Sequence, residues 1–136
     1  MPSHQYRKVR KIRSNGISTS TSISFGAFGL RSLEGFRLSE KTLEAARKVI
    51  MRYIKLNGGV LYVKTMHKLP VTKKPLETRM GSGKGGVDCY VYNVKKGSVL
   101  FEIDGVSRVV AKNALEKASA KLSTKCTFIS KKFIFN

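Results

Sequence analysis

Acidic residues are scarce: the chain has 8 Asp and Glu against 27 Lys and Arg in 136 residues, a formal net charge of +19. The few carboxylates are scattered, so no pair for general acid–base work is suggested. Cysteine and histidine are scarcer still, two of each. Cys89 and Cys126 have no Cys or His partner at metal-ligand spacing, which argues against zinc. They read as free, partly buried thiols in a reducing compartment. His4 sits among cations and His67 opens a long basic segment. Nothing in the local sequence pairs either histidine with a nucleophile. No apolar run reaches the roughly 18 residues that a membrane-spanning helix needs. The first 13 residues contain no apolar stretch of the kind a secretory signal requires. The expectation is a protein that performs no catalysis, holds no cofactor or metal and binds no membrane.

What is present in excess is positive charge. With 41% hydrophobic residues the chain should fold, and its length fits one compact domain. Confining so many like charges in a small globule is self-repulsive. A polyanion beside the fold relieves that repulsion. Nucleic acid is the usual one, because the counterions it releases supply binding free energy.

The charge is patterned along the chain. Residues 1–16 form a basic arm, with Arg7, Lys8, Arg10, Lys11 and Arg13 and no acid, suited to lie along phosphates. Residues 17–136 form a single domain. Ile17 to Leu38 is rich in Ser, Thr and Gly, and Ser22-Ile23-Ser24-Phe25 alternates as a half-buried strand does. Two short strands are expected here, with Phe25, Phe28, Leu30 and Leu33 in the core. Ser39 to Asn57 reads as a helix capped by Ser39 and ended by Gly58 and Gly59. Its apolar stripe is Leu43, Ala46, Ile50, Tyr53 and Ile54. Lys41, Arg47, Lys48, Arg52 and Lys55 make the rest of the helix cationic, and Arg47, Arg52 and Lys55 are candidate RNA contacts. Val60 to Thr65 is a strand. Cys89 to Val94 and Ser98 to Ile103 are expected to form a hairpin around Lys95-Lys96-Gly97. Ser107 to Lys121 is a second helix, with Val110, Ala111, Ala114, Leu115 and Ala118 inward. Lys125 to Ser130 is a last strand, followed by a tail.

Between the third strand and the expected hairpin lies an irregular segment, the functional loop at 66–88. Irregular stretches of this length inside a compact domain usually carry function. Lys73, Lys74, Arg79 and Lys84 charge it, and Gly81, Gly83, Gly85 and Gly86 loosen its tip. Gly81-Ser82-Gly83-Lys84-Gly85-Gly86 formally satisfies G-x-G-x-x-G, but a strand follows the glycines where a dinucleotide site needs a helix. Lys84 is followed by Gly85, so a P-loop fails too. Glycines that let the backbone approach phosphates suit structured RNA instead.

The segment Pro75-Leu76-Glu77-Thr78-Arg79-Met80-Gly81-Ser82-Gly83-Lys84-Gly85 resembles the signature loop of the L-sixteen family of large-subunit ribosomal proteins. So do Ile23-Ser24-Phe25-Gly26, Leu43-Glu44-Ala45-Ala46-Arg47, Leu100-Phe101-Glu102-Ile103-Asp104-Gly105-Val106 and Lys125-Cys126-Thr127-Phe128-Ile129. They occur in family order from about residue 5 to residue 130. The resemblance implies an α+β hammerhead-type fold, a mixed, mostly antiparallel sheet with two packed helices. It implies binding to large-subunit rRNA beneath the central protuberance, among neighbouring ribosomal proteins and without homo-oligomerisation. It further implies that Arg79, Met80, Gly81, Ser82, Gly83, Lys84 and Gly85 reach toward tRNA near the peptidyl-transferase centre.

The chain departs from the family at the base of the loop. Met66-His67-Lys68-Leu69-Pro70 replaces an aromatic-proline start with an acid, and Leu61-Tyr62-Val63 stands where a tryptophan is common. Lys outnumbers Arg 18 to 9, as an AT-rich genome would give. With no evident presequence, the expected setting is an organelle-encoded mitochondrial protein, with the bacterial cytoplasm as the alternative. Two other functions compete: a free-standing RNA chaperone, which would need exposed aromatic platforms, and a small nucleotide-dependent enzyme.

Overall fold

The structure, a computed structural model, describes residues 18, 22–64, 68–77, 79–81 and 83–131. Arg7, Lys8, Arg10, Lys11 and Arg13 of the basic arm, Ser82 of the loop and the tail 132–136 lie outside the described residues. In chain order the elements are β1 (Phe28–Ser32), β2 (Phe36–Ser39), α1 (Glu40–Ile54) with a 3-10 turn at Lys55–Asn57, β3 (Val60–Val63), β4 (Lys68–Lys73), β5 (Gly86–Val94), β6 (Val99–Asp104), α2 (Arg108–Ser119) and β7 (Cys126–Ser130).

The strands form two sheets, ordered β3-β6-β1-β7 and β2-β5-β4, with every pairing between these strands antiparallel. The α+β class therefore holds, but the single mixed sheet is replaced by two. The cause lies at Lys95-Lys96-Gly97. Ser98 N–H donates to Lys95 O at 3.1 Å, so the turn exists, and Gly97 N–H donates to Ser32 O at 2.9 Å. Yet β5 and β6 do not pair. Val94 and Val99 are both buried and enter the core from different sheets, which makes this turn a corner and not a hairpin.

Both helices start as their sequences dictate. The Ser39 hydroxyl accepts from Thr42 N–H at 3.2 Å and that of Ser107 from Val110 N–H at 3.4 Å, each relieving an orphan donor. Gly58, at φ +70°, closes the 3-10 turn. Helix α2 packs chiefly on α1 and lies over β1 and β7. One core joins both sheets and both helices. It includes Leu38 and Val94 from the smaller sheet, Leu30, Phe101 and Ile103 from the larger, Ile50 and Ile54 from α1, and Ala111, Ala114, Leu115 and Ala118 from α2. The four alanine and leucine positions of α2 are inward as expected, with Val110 half-buried. Three expected core residues are not: Phe25 is 67% exposed, and Leu33 and Tyr53 are each 42% exposed.

Ser22-Ile23-Ser24-Phe25 is not a strand. Successive backbone N–H groups of Ser24, Phe25 and Gly26 instead wrap the carboxylate of Glu102, so they cannot serve a ladder. The segment 66–87 is likewise less irregular than expected, because β4 occupies Lys68–Lys73 and pairs with β5.

Candidate nucleic-acid interface

Strands β4 and β5 make a two-stranded arm with a basic tip. Pro70 sits inside β4 opposite Tyr90 and is buried. Proline cannot donate to a ladder, and it is tolerated here because β4 is an edge strand. The register slips between Val71 and Thr72, an irregularity of the bulge type that bends a strand. At the root, Lys68 Nζ lies 2.8 Å from Glu40 Oε1 and 5.0 Å from the centroid of the Tyr90 ring. Lys68, at the base of the loop, thus ties the arm to the first turn of α1.

The arm's last pair is Lys73 with Gly86, and the tip is everything between them. Gly85 is required at its neck: a Cβ there would stand 2.8 Å from the carbonyl carbon and oxygen of Lys73. Lys74 Nζ donates to Gly81 O at 2.7 Å and holds the tip against its own base. Gly81 and Gly83 take φ of +100° and +86°, the left-handed region that side chains disfavour. Arg79, Met80, Gly81, Gly83 and Lys84 are exposed, with Met80 fully so, and Gly85 is half-buried. The structure thus gathers the loop candidates, Ser82 aside, into one turn with Lys73 and Lys74 at its neck. Lys74 has an internal partner and acts on the tip's shape as well as its charge.

Arg47 and Arg52 lie apart from the tip on α1, and Lys55 in the 3-10 turn that follows it. Arg52 and Lys55 are exposed. Arg47 Nε donates to Glu44 Oε2 at 3.0 Å, and a second guanidinium nitrogen contacts Oε1. The Arg47 hydrogen bond lowers the pKa of Glu44, and the pair raises that of Arg47. A pair this exposed is a weak tie, so Arg47 keeps its charge at the surface with an acid beside it.

A third region escaped sequence reasoning. Glu102, 0% exposed, accepts from Ser24 N–H at 2.9 Å, Phe25 N–H at 2.8 Å and Gly26 N–H at 3.1 Å. Three consecutive donors around one anion form a nest. Burial alone pushes the Glu102 carboxyl up, but the three N–H groups and Lys64 outweigh it, and its pKa lies below the ordinary glutamate value. Lys64 Nζ is 3.6 Å from Glu102 Oε1, 3.3 Å from Ser24 Oγ and 5.2 Å from the Phe25 ring centroid. The Phe25 and Tyr62 rings lie 5.8 Å apart, tilted by 33°. The only sequence trace of this arrangement is an acid, Glu102, set between Phe101 and Ile103 in the apolar run of β6.

A cleft of about 430 Å³ opens between α2 and β7. In it Arg108 sits 5.6 Å from the Phe128 ring, which stacks on Phe28 at 5.7 Å. Among the described residues no cluster of His, Cys, Asp and Glu could hold a metal, and no helix is long and apolar enough to cross a membrane. Burial pushes the Cys126 thiol up to about 11, too high for a nucleophile at neutral pH.

Comparison with known proteins agrees with this basic surface. The family model described as ribosomal protein L16p/L10e matches residues 1–129. The large ribosomal subunit protein uL16 of Stenotrophomonas maltophilia (strain K279a) is 44% identical over 128 residues, 93% of each chain. With nearly the whole chain matched by both, it belongs to the ribosomal protein L16p/L10e family.

Proposed function

We propose that this chain is a structural constituent of the large ribosomal subunit, built to be embedded in rRNA and performing no chemistry of its own. The carrying observation is the tip at 79–85: an exposed arginine and lysine set among glycines, on an arm anchored to α1 through Lys68 and Glu40. Such a tip reads backbone and shape, as structured RNA requires. Placement beneath the central protuberance, with Arg79 to Gly85 directed to A- and P-site tRNA, is the finer part of the proposal. The basic arm, with Arg7, Lys8, Arg10, Lys11 and Arg13, would lie on rRNA together with Arg47, Arg52, Lys55, Lys73 and Lys74. Neighbouring ribosomal proteins are the other partners. The excess of Lys over Arg, 18 to 9, of the kind an AT-rich genome gives, supports a mitochondrial ribosome, while the relative named above is bacterial and supports a bacterial one at least as well.

Met80, fully exposed, offers the test. A photoreactive residue in its place, in ribosomes carrying this chain, should cross-link to tRNA in the A or P site. Cross-links to rRNA alone would contradict the tRNA-facing part. Exposed Phe25 gives the competing RNA chaperone one stacking platform, whereas such proteins combine a charged groove with several.

A further inference from the structure

An aromatic side chain left in water forgoes the burial free energy that normally places it in a core. Phe25 does so on a backbone held in place. Its N–H and those of both neighbours are bound to Glu102. Gly26 seats the turn, since a Cβ there would lie 2.8 Å from Ile103 O. By strand alternation Glu102 projects from the face of β6 opposite Phe101 and Ile103, so the 23–26 turn lies across the sheet face that Phe101 and Ile103 do not use. The result is a rigid mount for an exposed ring. Tyr62, 37% exposed, stands beside it on the edge strand β3. Phe25, Tyr62 and Lys64, with Leu61 and Val63, line an open cleft of about 470 Å³.

From this juxtaposition we infer that Phe25 and Tyr62 form a preorganised stacking platform for an unpaired nucleobase of rRNA, with Lys64 beside it for the adjoining phosphate. The inference rests on the rRNA-binding function proposed above and adds to it a specific site and ligand class. Charge selects RNA over a protein partner. Glu102 is buried and spent on three N–H groups and Lys64, exposed Asp104 stands further along β6 opposite Val60, and the cleft itself is lined by two rings, two aliphatic side chains and Lys64 with no acid, on a chain of net charge +19. Every base has a π-face, so such a platform takes single-stranded nucleotides without sequence preference. A helix keeps its bases stacked internally and would not supply one.

The chain has no tryptophan, so Phe25→Trp installs a single indole reporter at the platform. The full-length F25W chain is titrated with single-stranded oligoadenylate and with an RNA duplex of equal length. The expected result is indole quenching by the single strand and binding without quenching by the duplex. F25A should weaken oligoadenylate binding about 5- to 160-fold, the range of base–aromatic stacking, with an unchanged salt slope because no phosphate contact is lost. Its thermal midpoint should match the parent's, and F25L, apolar but ringless, should behave like F25A. Salt-dependent RNA binding with no quenching and full F25A affinity would overturn the platform while leaving the rRNA-binding proposal intact. Loss of a neighbouring protein from F25A subunits, with RNA affinity unchanged, would assign the face to protein instead. No RNA binding by any variant would defeat both.

Discussion

The carboxylate of Glu102 accepts the backbone N–H of Phe25 at 2.8 Å across 77 residues of sequence. It fixes a turn that no ladder holds. Glu102→Ala leaves three N–H donors and the Lys64 ammonium without their anion, and should cost about 3 to 5 kcal/mol, as breaking a buried pair does. The pH dependence follows from its sign. The folded-state pKa lies below the ordinary glutamate value, so the contribution is present above that ordinary value and fades as pH falls through the lower folded one. Thermal melts from pH 7 to pH 3 should show the parent losing more stability than Glu102→Gln. Parallel curves would refute the role of the charge.

Gly85→Ala tests the neck of the arm. Its Cβ would meet the Lys73 backbone at 2.8 Å, and backbone cannot move aside as a side-chain tip can. Overpacking of this kind costs about 1 to 3 kcal/mol. The loss should be local: amide exchange should rise in β4 and β5 and stay unchanged in β6 and α2. A uniform rise would mean that the arm unfolds only with the body.

Arg79→Ala and Lys84→Ala change exposed residues of the tip. Stability should stay within about 0.5 kcal/mol of the parent, as for surface substitutions. Translation rate should fall more than subunit yield. A larger fall in subunit yield would make the tip a scaffold for assembly.

The secondary structure was largely legible where local chemistry decides it. Ser39 and Ser107 cap the helices the sequence assigns to them, and the alanines of α2 face inward. What sequence missed was decided by distant partners. Lys95-Lys96-Gly97 reads as a hairpin turn until Ser32 O, from another strand, claims the N–H of Gly97. The alternation of residues 22–25 reads as a strand until Glu102 takes the same N–H groups. Pro70 hid β4, because only the topology shows that the strand lies at an edge. At the candidate site, the tip's charge and glycines were visible as a motif. The Phe25–Tyr62 pair was not, since 36 intervening residues separate two rings that meet only through the nest and β3.

Removal of residues 1–13 takes away Arg7, Lys8, Arg10, Lys11 and Arg13. If all five contact phosphate, the log–log salt slope of rRNA binding should fall by about 3.5 to 4.5, at roughly 0.7 to 0.9 per contact. An unchanged slope would show that the arm makes no phosphate contacts.

Sedimentation bears most directly on the central claim. In a high-magnesium gradient of lysate from cells expressing the chain at native level, it should travel with the large subunits and their monosomes and be depleted from the top. A functional pool that stays at the top, with large subunits lacking the chain, would contradict it.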